Sequence, residues 1–233
     1  MVLPLYLAIS PVEIRHCSKI PLHPAWLGCH FSAHTPGLSD ISQGVPQGGM
    51  LIVDDRISFT NHDPDRIVEE LTEAADRLDP DSILLDFERP STPAARELAS
   101  RLADALPCPV GSPPGYRDQG PVFPPPCPLH VPLEDYLEPW KGREIWLDAA
   151  VQREIITVTS QGTTYTPAEK LPASGYLDPL LLCRYTAQQA AGRVTFTLFD
   201  TSQTLSQKLE LAGALGVTRA IGLYQEIHSL DKK

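Results

Sequence analysis

The stretch Asp81-Ser82-Ile83-Leu84-Leu85-Asp86-Phe87-Glu88 is an apolar run that ends in two carboxylates. A short apolar run bounded by polar residues is typical of a buried strand in a parallel sheet. On either side, residues 63–78 and 92–105 carry apolar side chains at the i, i+3, i+4 spacing of an amphipathic helix. A buried strand between two such helices predicts an α/β fold.

The same alternation extends to both ends of the chain. Further apolar runs predict seven more strands, at residues 5–9, 26–31, 49–55, 108–111, 143–148, 193–200 and 219–224. Eight strands in 233 residues predict a compact (β/α)8 TIM-type barrel, with some outer helices irregular or missing. Residues 154–159 and 163–166, split by Gln161-Gly162, predict a β-hairpin insertion. Because no repeat or linker is visible, we expect residues 1–233 to form a single domain.

Composition and charge exclude several classes of function. The formal net charge of −10 disfavours binding to nucleic acid or to an anionic membrane surface. The apolar N-terminal residues lack a basic flank, which favours a first strand over a signal peptide, and no apolar run is long enough for a membrane span. Five cysteines without a CxxC pair indicate free thiols in a reducing compartment, so we expect a cytoplasmic location.

Acidic residues follow several of the predicted strands. Barrel enzymes place their chemistry at the carboxyl ends of the strands, which makes these acids candidate site residues: Asp54, Asp86, Glu88, Asp148, Asp200 and Glu226. Asp86 and Glu88 are two residues apart and therefore point to the same face of a strand. Like charges that close raise one pKa, which keeps one carboxyl protonated as the general acid that glycoside cleavage needs. Strand-end acids also cap helices or pair with arginines such as Arg89 or Arg117, and this alternative stays open.

The strand resembles the signature DxxDxDxE on the fourth strand of family 18 glycoside hydrolases, the chitinase-like barrels. Asp81, Asp86 and Glu88 match the signature, whereas Leu84 replaces its middle aspartate. The resemblance implies that Glu88 is the general acid. It also implies that Asp86 orients the acetamido group of the substrate, which itself attacks the anomeric carbon.

The resemblance implies further site residues. Asp148, at the end of the sixth predicted strand, stands in the place of the family's Tyr-Asp pair, and Tyr185 or Tyr224 would supply the missing tyrosine. Asp54, Asp200 and Glu226 are additional candidates for binding the substrate. The expected partner is a carbohydrate ligand that contains N-acetylglucosamine.

The sequence leaves three functions open. The first is a glycosidase or a descendant with reduced activity, and the second is a non-catalytic carbohydrate-binding or scaffold barrel, which Leu84 favours. The third is an unrelated metal-dependent barrel enzyme that uses Asp54, Asp86, Asp200 and Glu226. Since no three convergent ligands can be named, we expect no metal and no cofactor. The oligomeric state is not indicated.

Overall fold

The computed structural model describes residues 3–15, 17, 20–39, 45–58, 62–170, 172 and 174–230. The strands of this part of the chain are β1 (Leu5–Ile9), β2 (Pro24–His30), β3 (Met50–Asp54), β4 (Ser82–Asp86), β5 (Val110–Gly111), β6 (Trp146–Asp148), β7 (Arg153–Thr159), β8 (Gly162–Pro167), β9 (Tyr176–Asp178), β10 (Cys183–Ala190), β11 (Arg193–Phe199) and β12 (Arg219–Leu223). Its α-helices are α1 (Pro11–Ile14), α2 (Pro64–Leu78), α3 (Pro93–Ala105), α4 (Leu133–Leu137), α5 (Ser202–Ala214) and α6 (Tyr224–Leu230).

Seven strands form a parallel sheet in the order β5-β4-β3-β2-β1-β12-β6. Val122 bridges the gap between its two edges, because it pairs in parallel with Ser112 after β5 and with Ile145 before β6. The Phe123 amide donates to the Ser112 carbonyl at 2.8 Å, and the Trp146 amide donates to the Val122 carbonyl at 2.9 Å. The sheet is therefore a nearly closed barrel, and the predicted TIM-type fold is confirmed.

The other five strands form an antiparallel sheet in the order β8-β7-β11-β10-β9. The predicted hairpin is confirmed, since β7 and β8 pair along their length. The prediction that residues 193–200 form a barrel strand is wrong, because β11 lies between β7 and β10 in this second sheet. The stretch around Val122 takes the vacant barrel position. Only Val122 and Phe123 stand between the prolines at 121 and 124, so no apolar run of strand length marks it.

The side chains of β4 alternate between the inside and the outside of the barrel. Leu84 belongs to the cluster that fills the lumen, together with Tyr6, Ala8, Ala25, Met50, Ile52, Phe123, Trp146 and Ile221. Ile83, Leu85 and Phe87 belong to the outer cluster that packs under α2 and α3. Because successive strand residues face opposite sides, Asp86 shares the lumen side with Leu84.

The outer layer is irregular, as predicted. The helices α2 and α3 cover β3, β4 and β5, and each begins at its expected cap: Asp63 accepts the Asp65 amide, and Thr92 accepts the Ala95 amide. By contrast, the helix that follows β1 is only four residues long. In the part of the chain that the structure describes, no helix combines the length and apolarity needed to cross a bilayer.

Candidate active site

The candidate site begins where β3 and β4 end side by side. Asp54 and Asp86 are paired residues in the parallel ladder, and Glu88 lies two residues beyond Asp86 on the exposed rim. Burial, together with the charges of Glu88 and Asp54, raises the pKa of Asp86 to about 6. Asp86 therefore gains a proton at a higher pH than an ordinary aspartate does.

Arg56 brings a positive charge to the acidic rim. Its guanidinium donates to both carboxylate oxygens of Asp54, at 2.7 Å from Nε and 2.6 Å from Nη2. The charges of Asp54, Asp86 and Glu88 contribute to raising the pKa of Arg56, after the hydrogen bond to Asp54. Asp54 is thus already paired, whereas the Arg56 side chain keeps 63% of its surface exposed.

Asp148 ends β6 on the other side of the mouth. Burial, together with the charges of Asp86, Glu226 and Glu88, raises its pKa to about 7. A hydrogen bond from the Ala150 amide, at 2.9 Å, opposes the shift. The charges of three other carboxyls, on Asp86, Glu88 and Glu226, thus act on Asp148.

The strand that carries Asp148 differs from the predicted one. Since Val122 occupies the sixth barrel position, β6 is the seventh position and not the sixth. Glu226 lies in the first turn of α6, directly after β12, and its Oε2 accepts the Val151 amide at 3.3 Å. Glu226 therefore orders the segment that follows Asp148.

Asp200 and the tyrosines lie outside this group of acids. Asp200 follows β11 of the second sheet and is 2% exposed, and it accepts bonds from Lys208 Nζ at 2.7 Å and the Gln152 amide at 3.1 Å. Tyr185 lies on β10, with its ring 5.9 Å from that of Tyr176. The structure places neither Asp200 nor Tyr185 at a barrel-strand end.

Tyr224 begins α6 and packs against the outer hydrophobic cluster. Its ring stacks on His228 at 5.3 Å, and a hydrogen bond with Cys17 raises its pKa. These contacts hold the ring beside α1 and α6. The prediction that Tyr224 binds the substrate stays a prediction.

The arginines that sequence reasoning offered as partners for the acids have other contacts. Arg117 donates to the Val110 carbonyl at 2.7 Å, and Arg89 donates to the carbonyls of Asp55 and Arg56. The sequence did not indicate Arg56 as a site residue, because an arginine two residues after a strand-end aspartate often occurs by chance. Among the described residues, no three His, Cys, Asp or Glu side chains are arranged to hold a metal ion.

Comparison with known proteins supports the architecture. No protein-family model and no curated protein sequence matches this chain. Solved structures do match it, all at low sequence identity. The Bacillus cereus spore cortex-lytic enzyme SleL is 11% identical with a TM-score of 0.59, over 99% of this chain and 74% of that one.

Two further structures match over nearly their whole length. A glycoside hydrolase family 18 N-acetylglucosaminidase from Paenibacillus barengoltzii is 11% identical with a TM-score of 0.59, over 99% of both chains. A mutant family 18 chitinase from Cycas revoluta, in complex with (GlcNAc)4, is 12% identical with a TM-score of 0.60, over 97% of both chains. The chain therefore has the fold of the family 18 glycoside hydrolase barrels.

Proposed function

We propose that this chain is a glycoside hydrolase that cleaves glycans containing N-acetylglucosamine. The observation that carries the proposal is the register of β4, which puts Asp86 on the lumen side and Glu88 on the exposed rim. The interaction of both carboxyls with Asp148 supports it. The similarity in fold to chitinases and an N-acetylglucosaminidase suggests the class of substrate.

In the proposed reaction, the protonated Glu88 carboxyl donates its proton to the glycosidic oxygen as the bond to the anomeric carbon breaks. The substrate's acetamido oxygen forms the new bond to that carbon, while Asp86 accepts a hydrogen bond from the acetamide N–H. Water then opens the cyclic intermediate, and Glu88 takes a proton from that water. Glu88 thereby regains its starting state, so the cycle closes without any other reactant.

A non-catalytic carbohydrate-binding barrel is the second candidate, and Leu84 is the observation that favours it. Leu84 is 1% exposed and fills the lumen directly below Asp86. An aspartate there would exchange a proton with Asp86, and a leucine cannot. Both candidate functions place a glycan at the barrel mouth, and they differ in whether its glycosidic bond is cleaved.

The test measures the hydrolysis of an aryl glycoside of an N-acetylglucosamine oligomer through the release of its chromophore. We expect Glu88→Gln to lose about 10²–10⁴-fold in kcat, because the variant keeps the size of the side chain and loses the transferable proton. Glu97→Gln is the matched control: it is an exposed glutamate on α3, and it should keep the wild-type rate.

Calorimetric titration with the same oligomers separates the remaining outcomes. A wild-type protein that binds the oligomers without cleaving them would support the binding barrel. A protein that neither binds nor cleaves them would show that the likeness to family 18 ends at the fold, and the proposal would be abandoned.

A further inference from the structure

Asp55 is a buried carboxylate at the barrel mouth to which the proposed reaction assigns no role. It follows β3 and is 4% exposed, and its two oxygens each accept a backbone hydrogen bond from the segment after β4. The Glu88 amide donates to Oδ1 at 2.9 Å, and the Arg89 amide donates to Oδ2 at 3.1 Å. The ladder between β3 and β4 ends at Asp54 and Asp86, so the Asp55 side chain continues the connection where the backbone pairing stops.

The same segment is held from its other side. Arg89 donates through Nε to the Asp55 carbonyl at 2.8 Å, and the Tyr116 hydroxyl donates to the Arg89 carbonyl at 2.6 Å. The Phe87 ring lies between those of Phe31 and Tyr116, with ring centroids 5.8 Å and 5.4 Å away. The backbone on both sides of Glu88 is therefore fixed, whereas the Glu88 side chain itself is exposed.

We propose that Asp55 is a positioning residue that, by binding the amides of Glu88 and Arg89, directs the Glu88 carboxyl into the barrel mouth. This inference rests on the proposed function, in which Glu88 is the proton donor. A proton donor acts only within hydrogen-bond reach of the leaving oxygen, and an exposed glutamate has no packing to restrict it. The orientation must then come from the backbone, and Asp55 accepts the amides of Glu88 itself and of the residue that follows it.

The test replaces Asp55 by asparagine in the full chain. Asparagine keeps the shape but turns an NH2 group toward one backbone amide, so one of the two hydrogen bonds is lost. We expect kcat to fall about 10²-fold with KM unchanged. Hydrogen exchange at the amides of Glu88 and Arg89, followed by NMR, should become faster.

Asp178→Ala is the control. Asp178 Oδ1 also accepts two backbone amides, those of Leu180 and Leu181 at 2.9 Å and 3.0 Å, but it lies on β9 in the second sheet. Because a single oxygen accepts both amides, asparagine would keep both hydrogen bonds, whereas alanine removes them. This variant should lose at least as many hydrogen bonds as Asp55→Asn and keep the wild-type kcat. An equal loss of kcat in both variants would show that general destabilisation explains the effect, which would overturn the inference.

Hydrogen exchange separates this inference from the proposed function. If the wild type cleaves no glycan, the proposed function fails, yet exchange at the Glu88 and Arg89 amides still reports whether Asp55 orders this segment. Exchange at the wild-type rate in Asp55→Asn would overturn the positioning role whatever the activity. Should Asp55→Asn not fold, exchange in the wild type tests the same contacts: the Glu88 and Arg89 amides should be protected, and exchange as fast as that of an unbonded amide would overturn the inference.

Discussion

Leu84 is the residue at which the mouth of this barrel departs most from the family signature. Its side chain packs in the lumen against residues such as Trp146 and Ile52, so it contributes to the core as well as replacing a carboxylate. Without that carboxylate, the charges that act on Asp86 are those of Glu88, Asp54, Asp55 and Arg56. Leu84 cannot exchange a proton with Asp86, so the protonation of Asp86 depends on other groups, such as Asp54 at the end of the neighbouring strand β3.

Asp148 should make the stability of the protein depend on pH. Its pKa rises from 3.8 to about 7 on folding, so the folded state holds a proton that the unfolded state has already released between these values. The free energy of unfolding therefore falls as pH rises through this window, by up to about 4 kcal/mol. Asp148→Asn should be more stable than the wild type at about pH 8, with the advantage vanishing near about pH 4.

Urea denaturation at several pH values measures this effect. Asp76→Asn serves as the control because Asp76 is an exposed aspartate on α2, and its stability difference from the wild type should not change with pH. A constant difference for Asp148→Asn across the range would mean that folding leaves the pKa of Asp148 unchanged, which would contradict the prediction.

At the scale of the elements, the packing of Trp146 on β6 requires a glycine on the short strand β5. The Trp146 ring is buried in the lumen and lies directly over Gly111, where an added Cβ would be 2.3 Å from Cε3 of the indole. The guanidinium of Arg219 also packs on the Trp146 ring, 4.8 Å from its centroid. Only glycine leaves room for this packing.

Gly111→Ala should therefore destabilise the protein, by about 1–3 kcal/mol, because the indole cannot move without disturbing the lumen. Gly213→Ala is a matched control in α5, where the new Cβ would meet only Leu3 at an ordinary 3.5 Å. That change should raise stability by about 0.5–1 kcal/mol through helix propensity. Thermal unfolding of both variants tests the pair, and a neutral Gly111→Ala would contradict the packing described for Trp146.

At the scale of the whole molecule, the loop after Val122 makes polar and apolar contacts with the second sheet. His130, in the loop after Val122, hydrogen-bonds to Glu154 of β7 at 2.8 Å. Leu129 packs with Cys183 and Leu198 of the second sheet in one buried cluster. The insertion is thus packed directly on the barrel, which is consistent with the single domain that we predict.

The cysteines give a second prediction for the whole molecule. All five are free in the structure, with Cys29 and Cys183 buried and Cys17, Cys108 and Cys127 partly exposed. We expect a thiol titration of the denatured, unreduced protein to find about five groups, in keeping with the reducing, cytoplasmic compartment that we propose. A count of about one would indicate two disulfides and would contradict that compartment.

The local pattern of the sequence was sufficient for the central part of the fold. The apolar run that ends at Asp86 predicted β4, and the apolar spacing predicted α2 and α3 within a residue of their ends. These features could be predicted because strand and helix periods are set by neighbours in the chain, and burial follows the period.

Tertiary structure alone decided which sheet each strand joins and which acids meet. β11 reads as a barrel strand, but its pairing with β7 and β10 depends on residues distant in sequence. Val122 closes the barrel through single bridges, which leave no periodic signal among prolines. The interaction of Asp148 with Asp86, and the hold of Asp55 on Glu88, likewise arise only when separate strands end at one mouth, because side-chain contacts across a barrel have no counterpart in local sequence.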